Sequence, residues 1–189
     1  MQYMYNVIDF LQSWQCDEGN VTPNEEIMQW IASLNLNTKV EIIESKIRDD
    51  TFWYYDKDRG VICNRKNSFF QIGGIIEQNE SCVKKAQPII FQNEIGFLGI
   101  ICKKINGVVN FLMQAKIEPG NLNCIQISPT IQATKSNFTR AHGGKSPRYL
   151  EYFMDSAKHT LIYDQLQSEQ ASRFYKKRNR NMVLALGEN

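Results

Sequence analysis

Residues 97–118, FLGIICKKINGVVNFLMQAKIE, decide how this chain folds. Asn106-Gly107 stands between two apolar runs, and that dipeptide supplies the two positive-φ residues of a tight type I′ hairpin turn. The turn sets Lys104 opposite Val109 and Lys103 opposite Asn110, and alternation carries the pairing outward. Leu98, Ile100, Cys102 and Lys104 then share a face with Val109, Phe111, Met113 and Ala115, an expected core face. The other face sets Phe97, Gly99, Ile101 and Lys103 against Lys116, Gln114, Leu112 and Asn110. Gly99 falls opposite Gln114, where a missing side chain either leaves room beside a polar group or relieves local twist.

Towards the N-terminus, Phe52–Tyr55 and Val61–Cys63 flank the turn cluster Asp56-Lys-Asp-Arg-Gly60, and Phe69–Ile76 and Pro88–Phe91 read as further short strands. Val40–Ile47 also reads as a strand. Before Lys39 the period is helical. Val7, Phe10, Leu11 and Trp14 form one stripe, and Ile27, Trp30, Ile31 and Leu34 another, opened by Thr22-Pro-Asn-Glu25 as a capping box. Both stripes are expected to face the core. Towards the C-terminus, Pro119-Gly-Asn121 breaks the strand, and Cys124–Thr134 alternates again. Ser146-Pro147 reads as a helix start, His159 falls in a helix, and Met182–Leu186 reads as a closing strand. No repeat, linker or low-complexity segment divides the chain. The expectation is one α+β domain over residues 1–189, helical over 1–38, with a sheet core over 39–189.

Composition excludes several classes. The chain has 189 residues, 42% hydrophobic and 11% aromatic, which supports a core and argues against disorder. Lys and Arg number 22 against 20 Asp and Glu, so a net charge of +2 makes no general case for a nucleic-acid or membrane partner. Residues 173–180 form a local basic run, read as a cationic helix face that is solvated or turned to an anionic ligand. No apolar run is long enough to cross a membrane as a helix. The opening stretch carries Asp9, Asp17 and Glu18 but no Lys or Arg, which argues against a secretory signal and for the cytoplasm. Cys16, Cys63, Cys82, Cys102 and Cys124 are scattered and odd in number, fitting reduced thiols better than disulfides or zinc.

Two rows of polar residues suggest where chemistry lies. Gln114, Lys116 and Glu118 point one way along their strand. Gln126, Ser128, Thr130, Gln132 and Thr134 point one way along the next. The second row is all amides and hydroxyls, whereas solvated faces usually carry Lys and Glu. Side by side, the rows read as the lining of a polar-ligand pocket, with a plain solvated face as the alternative. The loop that follows carries Arg140, His142, Lys145 and Arg148 around Gly143-Gly144. Free N–H groups at the following helix start suit a diphosphate, and a solvated basic loop is the alternative. His159 is assigned a structural or surface place.

Longer stretches resemble a known family. QAKIEPGN (114–121), SPTIQATKSNF (128–138), SEQASRF (168–174) and KRNRNM (177–182) resemble the NDP-hexose 2,3-dehydratases, as do QPII (87–90) and IGFLG (95–99). The resemblance spans residues 40–186. It implies a Nudix-like fold and dehydration of a nucleoside-diphosphate-4-keto-6-deoxyglucose on the way to deoxysugars. Familiar members carry two related halves, each like this chain. A single copy implies a homodimer, or a heterodimer with a separate second half, in which this half either catalyses or only binds the sugar nucleotide. Ala171 stands where the family has Gly, and no Trp precedes Gln87-Pro88 as it does there. No Arg-Glu-x-x-Glu-Glu run is present, which disfavours metal-assisted pyrophosphate hydrolysis.

A 4-keto group acidifies the proton on carbon 3, so the reaction needs a base, an enolate stabiliser, an acid for the departing 2-hydroxyl and a diphosphate clamp. No cofactor and no metal are expected. Glu118 is the expected base, Lys116 the enolate stabiliser and His142 the acid. Gln114, Gln132, Thr134, Ser136 and Asn137 are expected to hold the sugar or the nucleobase. Arg140, Lys145, Arg148, Arg178 and Arg180 are the diphosphate candidates.

Overall fold

The β-hairpin forms as its turn dipeptide requires. In a computed structural model describing residues 5–16, 21–48, 51–78, 85–134 and 146–187, β5 (Gly96–Ile105) pairs antiparallel with β6 (Val108–Leu112). Lys104 lies opposite Val109 and Lys103 opposite Asn110, and Asn106 and Gly107 both take positive φ, at 51° and 84°. The fold is α+β, sheet-rich with few helices.

The chain divides into two compact units. The first comprises Met1–Ile42, Gly96–Gln165 and Arg180–Asn189. Its main sheet runs β10 (Thr160–Ser168), β11 (Arg178–Leu186), β5, β6, with β9 (Ile131–Ala133) also on β5, and the last residues of β10 and first of β11 belong to the second unit. A separate ribbon joins β7 (Gln114–Ile117) to β8 (Ile125–Ser128). Both faces of the sheet are covered. On one, Ile101, Ile131, Ala133, Met182 and Leu184 pack around Phe153 of the short helix α3 (Leu150–Met154). On the other, Cys102, Val109 and Ala185 meet Tyr5 and Phe10. Burial among apolar side chains pushes the Cys102 thiol up to about 11, so it is an inert core group.

The N-terminal stripes are only partly core-facing. Helix α1 (Val7–Trp14) leaves Val7, Leu11 and Trp14 exposed, Trp14 to 84%. It docks instead by the face bearing Asp9, Phe10 and Ser13. The Asp9 carboxylate holds the Lys104 ammonium at 2.6 Å, and Ser13 Oγ accepts from Val109 N at 2.8 Å. Tyr5 Oη accepts from Lys104 N and donates to Leu186 O. Helix α2 (Asn24–Asn37) half-buries Ile27, Ile31 and Leu34 and leaves Trp30 exposed. The expected capping box at 22–25 does not form, because the cap position falls on Pro23, which has no side-chain acceptor. The capping box is on α1, between Asn6 and Asp9. Asn35 pins α2 to β8 by donating to Ile125 O and accepting from Ile125 N.

The second unit comprises Ile43–Ile95 and Leu166–Asn179. Its sheet is β1 (Trp53–Asp56), β2 (Val61–Asn64), β3 (Gln71–Glu77), β4 (Lys85–Phe91), in chain order and antiparallel. Val40–Ile47 is not a strand: all eight residues are exposed. Adjacent Ile42 and Ile43 put apolar groups on both sides of the chain, so neither face is uniform enough to be buried. The basic run is not helical either; it passes from a turn at 171–173 into β11. Lys177 in that run is buried and donates to Glu94 O, while Asn179 Nδ2 donates to Glu169 at 2.5 Å. Desolvation holds the Lys177 ammonium below the usual lysine range, opposed by the nearby Glu94 and Glu169.

Candidate active site

The two polar rows meet in the first unit. Strand β7 leaves the hairpin at Met113 and pairs with β8, setting Lys116 opposite Gln126. Gly99 therefore faces Ile131 of β9 and not Gln114. A Cβ at Gly99 would collide with the edge of the Phe153 ring and approach Ile131 Cγ2 to 2.8 Å. The glycine makes room for an aromatic ring rather than for a ligand.

Cys124–Thr134 does not alternate throughout. Pro129-Thr130 forms a corner between β8 and β9, and the phase changes there. Ile127 is exposed, whereas Ser128 and Thr130 are buried. Thr130 Oγ1 accepts from Ile101 N at 2.9 Å and donates to Leu112 O. Beyond the corner the expected alternation holds: Ile131 and Ala133 enter the core, and Gln132 faces outward.

Lys116 joins the rows. Its ammonium lies 2.5 Å from Glu118 Oε1 and 3.2 Å from Gln132 Oε1. The pair is half-open, with the Glu118 side chain 45% exposed. Asn121 closes the turn carrying Glu118, its N–H donating to Glu118 O and its side chain to Lys116 O and Cys124 O. Gln114 spends its amide nitrogen on the backbone, donating to Pro129 O at 2.9 Å and Thr130 O at 3.4 Å. Thr134 ends the described stretch beside Gln132. Ser136, Asn137, Arg140, His142 and Lys145 lie outside the described residues. A cavity of about 740 Å³ in this unit is lined instead by α2 and the hairpin, including Ile27, Trp30, Phe111 and Met113.

Of the expected clamp residues, Arg148, Arg178 and Arg180 are among the described ones. Arg148 is exposed, and the helix start expected at Ser146-Pro147 falls at Leu150, after Tyr149 in the left-handed region. Helix α3 has five residues, too short for the anion site expected of it. Arg178 is exposed. Arg180 forms a two-point bond with Asp164, Nε to Oδ1 at 2.7 Å and Nη2 to Oδ2 at 2.5 Å, and its guanidinium lies over the Phe97 ring. That bond holds the Asp164 carboxyl below the usual carboxylate range and raises Arg180 further. Asp164 has no signal in the sequence, because its partner lies sixteen residues away on another strand. His159 lies just after a 3-10 turn (Ser156–Lys158) and not in a helix, with its ring 5.2 Å from Tyr152. Among the described residues no three His, Cys, Asp or Glu side chains gather as metal ligands, and no helix is long and apolar enough to cross a membrane.

The sequence pattern of the NDP-hexose 2,3-dehydratases matches residues 24–189. The chain belongs to that family. It is 41% identical over 172 residues to a dTDP-4-dehydro-6-deoxy-alpha-D-glucopyranose 2,3-dehydratase of Saccharopolyspora spinosa, a match covering 90% of this chain and 35% of that protein. Proteins of the same name match at 40% in Amycolatopsis orientalis, over 88% of this chain and 37% of theirs, and at 41% in Streptomyces violaceoruber, over 87% and 38%. This member thus spans little more than a third of the length of these relatives. The family match takes in β1–β11 and helix α2, and with them the Lys116–Glu118–Gln132 contact.

Proposed function

We propose that this family member is a carbon–oxygen lyase that removes water from an NDP-4-keto-6-deoxyhexose, dTDP-4-keto-6-deoxyglucose in the first instance, in deoxysugar biosynthesis. The relatives' shared name, at about two residues in five identical over nearly the whole chain, carries this reading. Glu118 takes the proton from carbon 3, and the electron pair moves onto the 4-keto oxygen beside the Lys116 ammonium. The enolate then expels the 2-hydroxyl, which leaves as water with a proton from His142. No electrons pass to an acceptor, so the balance calls for no redox cofactor. Gln132, Thr134, Ser136 and Asn137 hold the sugar or the nucleobase, and Arg140, Lys145, Arg148, Arg178 and Arg180 face the diphosphate. For Arg180 this requires release from Asp164. The described contact that supports this assignment is Lys116 held 2.5 Å from Glu118.

Residues 1–189 would form one dehydratase-like domain of Nudix-like architecture, working in the cytoplasm as a homodimer or beside a separate second half. A second reading is a noncatalytic half that binds the sugar nucleotide. Incubating the purified chain with dTDP-4-keto-6-deoxyglucose separates the two. Formation of the dehydrated product supports the lyase, and saturable binding without turnover supports the binding half. Glu118→Gln is expected to abolish turnover and leave dTDP affinity within about twofold, as for a group that acts only in the transition state. Unchanged turnover in that variant rejects the base.

A further inference from the structure

The row proposed for catalysis straddles two sheets. Lys116 and Glu118 ride on the β7–β8 ribbon and the turn after β7, whereas Gln132 rides on β9, which is paired to β5 in the main sheet. No ladder is formed between β7 and β9. Backbone pairing therefore links Lys116 to Gln132 only by way of β8 and the Pro129-Thr130 corner, and side chains hold that corner in place. Thr130 locks the β8–β9 corner to the main sheet through Ile101 N and Leu112 O. Gln114, two residues before Lys116 on the same strand, reaches the same corner with its amide nitrogen, which donates to Pro129 O and Thr130 O.

We infer that Gln114 is a positioning residue for Lys116 and not a ligand for the sugar. It ties the ribbon to the β8–β9 corner, and so keeps the Lys116 ammonium between Glu118 and Gln132. The inference rests on the reading of Lys116 given above. Its function is the donation of two hydrogen bonds, which specifies the variants. Gln114→Met keeps the length of the side chain without polar atoms. Gln114→Glu keeps length and acceptors but has no donor at neutral pH.

Two readouts test it. In both variants kcat for water elimination should fall about tenfold or more with KM within about twofold, because a misplaced stabiliser weakens the transition state and not substrate binding. In Lys116→Met background, adding Gln114→Met should cost no further activity. Acetylation of Lys116 by acetic anhydride, measured by mass spectrometry against Lys103 in the same molecule, should be several-fold faster in both variants, in samples whose melting shows them folded. The acetylation readout decides equally in a chain that only binds nucleotide. A raised KM at unchanged kcat would make Gln114 a ligand contact and overturn the inference, as would unchanged Lys116 reactivity or restoration of kcat by Gln114→Glu. Full turnover in Lys116→Met would instead remove Lys116 from the proposed mechanism. Loss of turnover in Lys116→Met beside normal Gln114 variants overturns the positioning role alone.

Discussion

Asp164 and Arg180 show how a charge that was expected to serve a ligand can first serve the fold. The carboxylate sits below its usual range because the guanidinium bonds it at two points, so the pair stabilises the folded chain above roughly pH 4 and loses that contribution as pH falls through the lowered value. Asp164→Asn should therefore cost about 1 kcal/mol at pH 7, discounted for the partly open setting of both groups, and clearly less at pH 3. Urea unfolding at the two pH values measures the difference, and an equal loss at both would contradict it. Gly99 makes a steric case. Gly99→Ala should lower stability by about 1–3 kcal/mol, the range for overpacking a filled core. Adding Phe153→Ala should cost less than the sum of the two single changes, since the smaller side chain vacates the space that the new methyl group needs.

Among the elements, the hairpin was legible from its turn out to Ile101 and Leu112, whereas the pairing expected beyond them gives way to β9 and the surrounding segments were legible only in part. Asn106-Gly107 fixes both turn type and register through local φ alone, and the observed partners follow. Gly107→Ala should cost about 1 kcal/mol, because alanine pays for the left-handed conformation that glycine adopts freely, and a thermal melt reads this directly. Alternation failed where a corner intervened. It placed Thr130 among ligand-facing groups, but Pro129 shifts the phase, and the hydroxyl is consumed by two backbone partners. Periodicity also could not say which side of α1 would dock. The helix has a long apolar stripe, yet it is held by Asp9, Phe10 and Ser13. The site was legible at the level of neighbours: Lys116 does meet both Glu118 and Gln132. That the neighbours lie on different sheets depends on long-range pairing of β9 with β5, which no local pattern encodes.

At the scale of the whole molecule, the homodimer proposed above predicts a particle of twice 21.9 kDa by light scattering, and a single-chain mass at every concentration would contradict it. The division into two units constrains how such experiments can be built. The polypeptide passes from one unit to the other four times, near Ile42, Ile95, Gln165 and Asn179. Neither unit is a continuous stretch, so no single truncation yields one of them intact. One protease cut near Ile95 or Gln165 leaves two fragments that each hold parts of both units. Anyone wishing to study the second unit by itself would have to reconnect Ile95 to Leu166 by a designed joint, rather than choose a new stop codon.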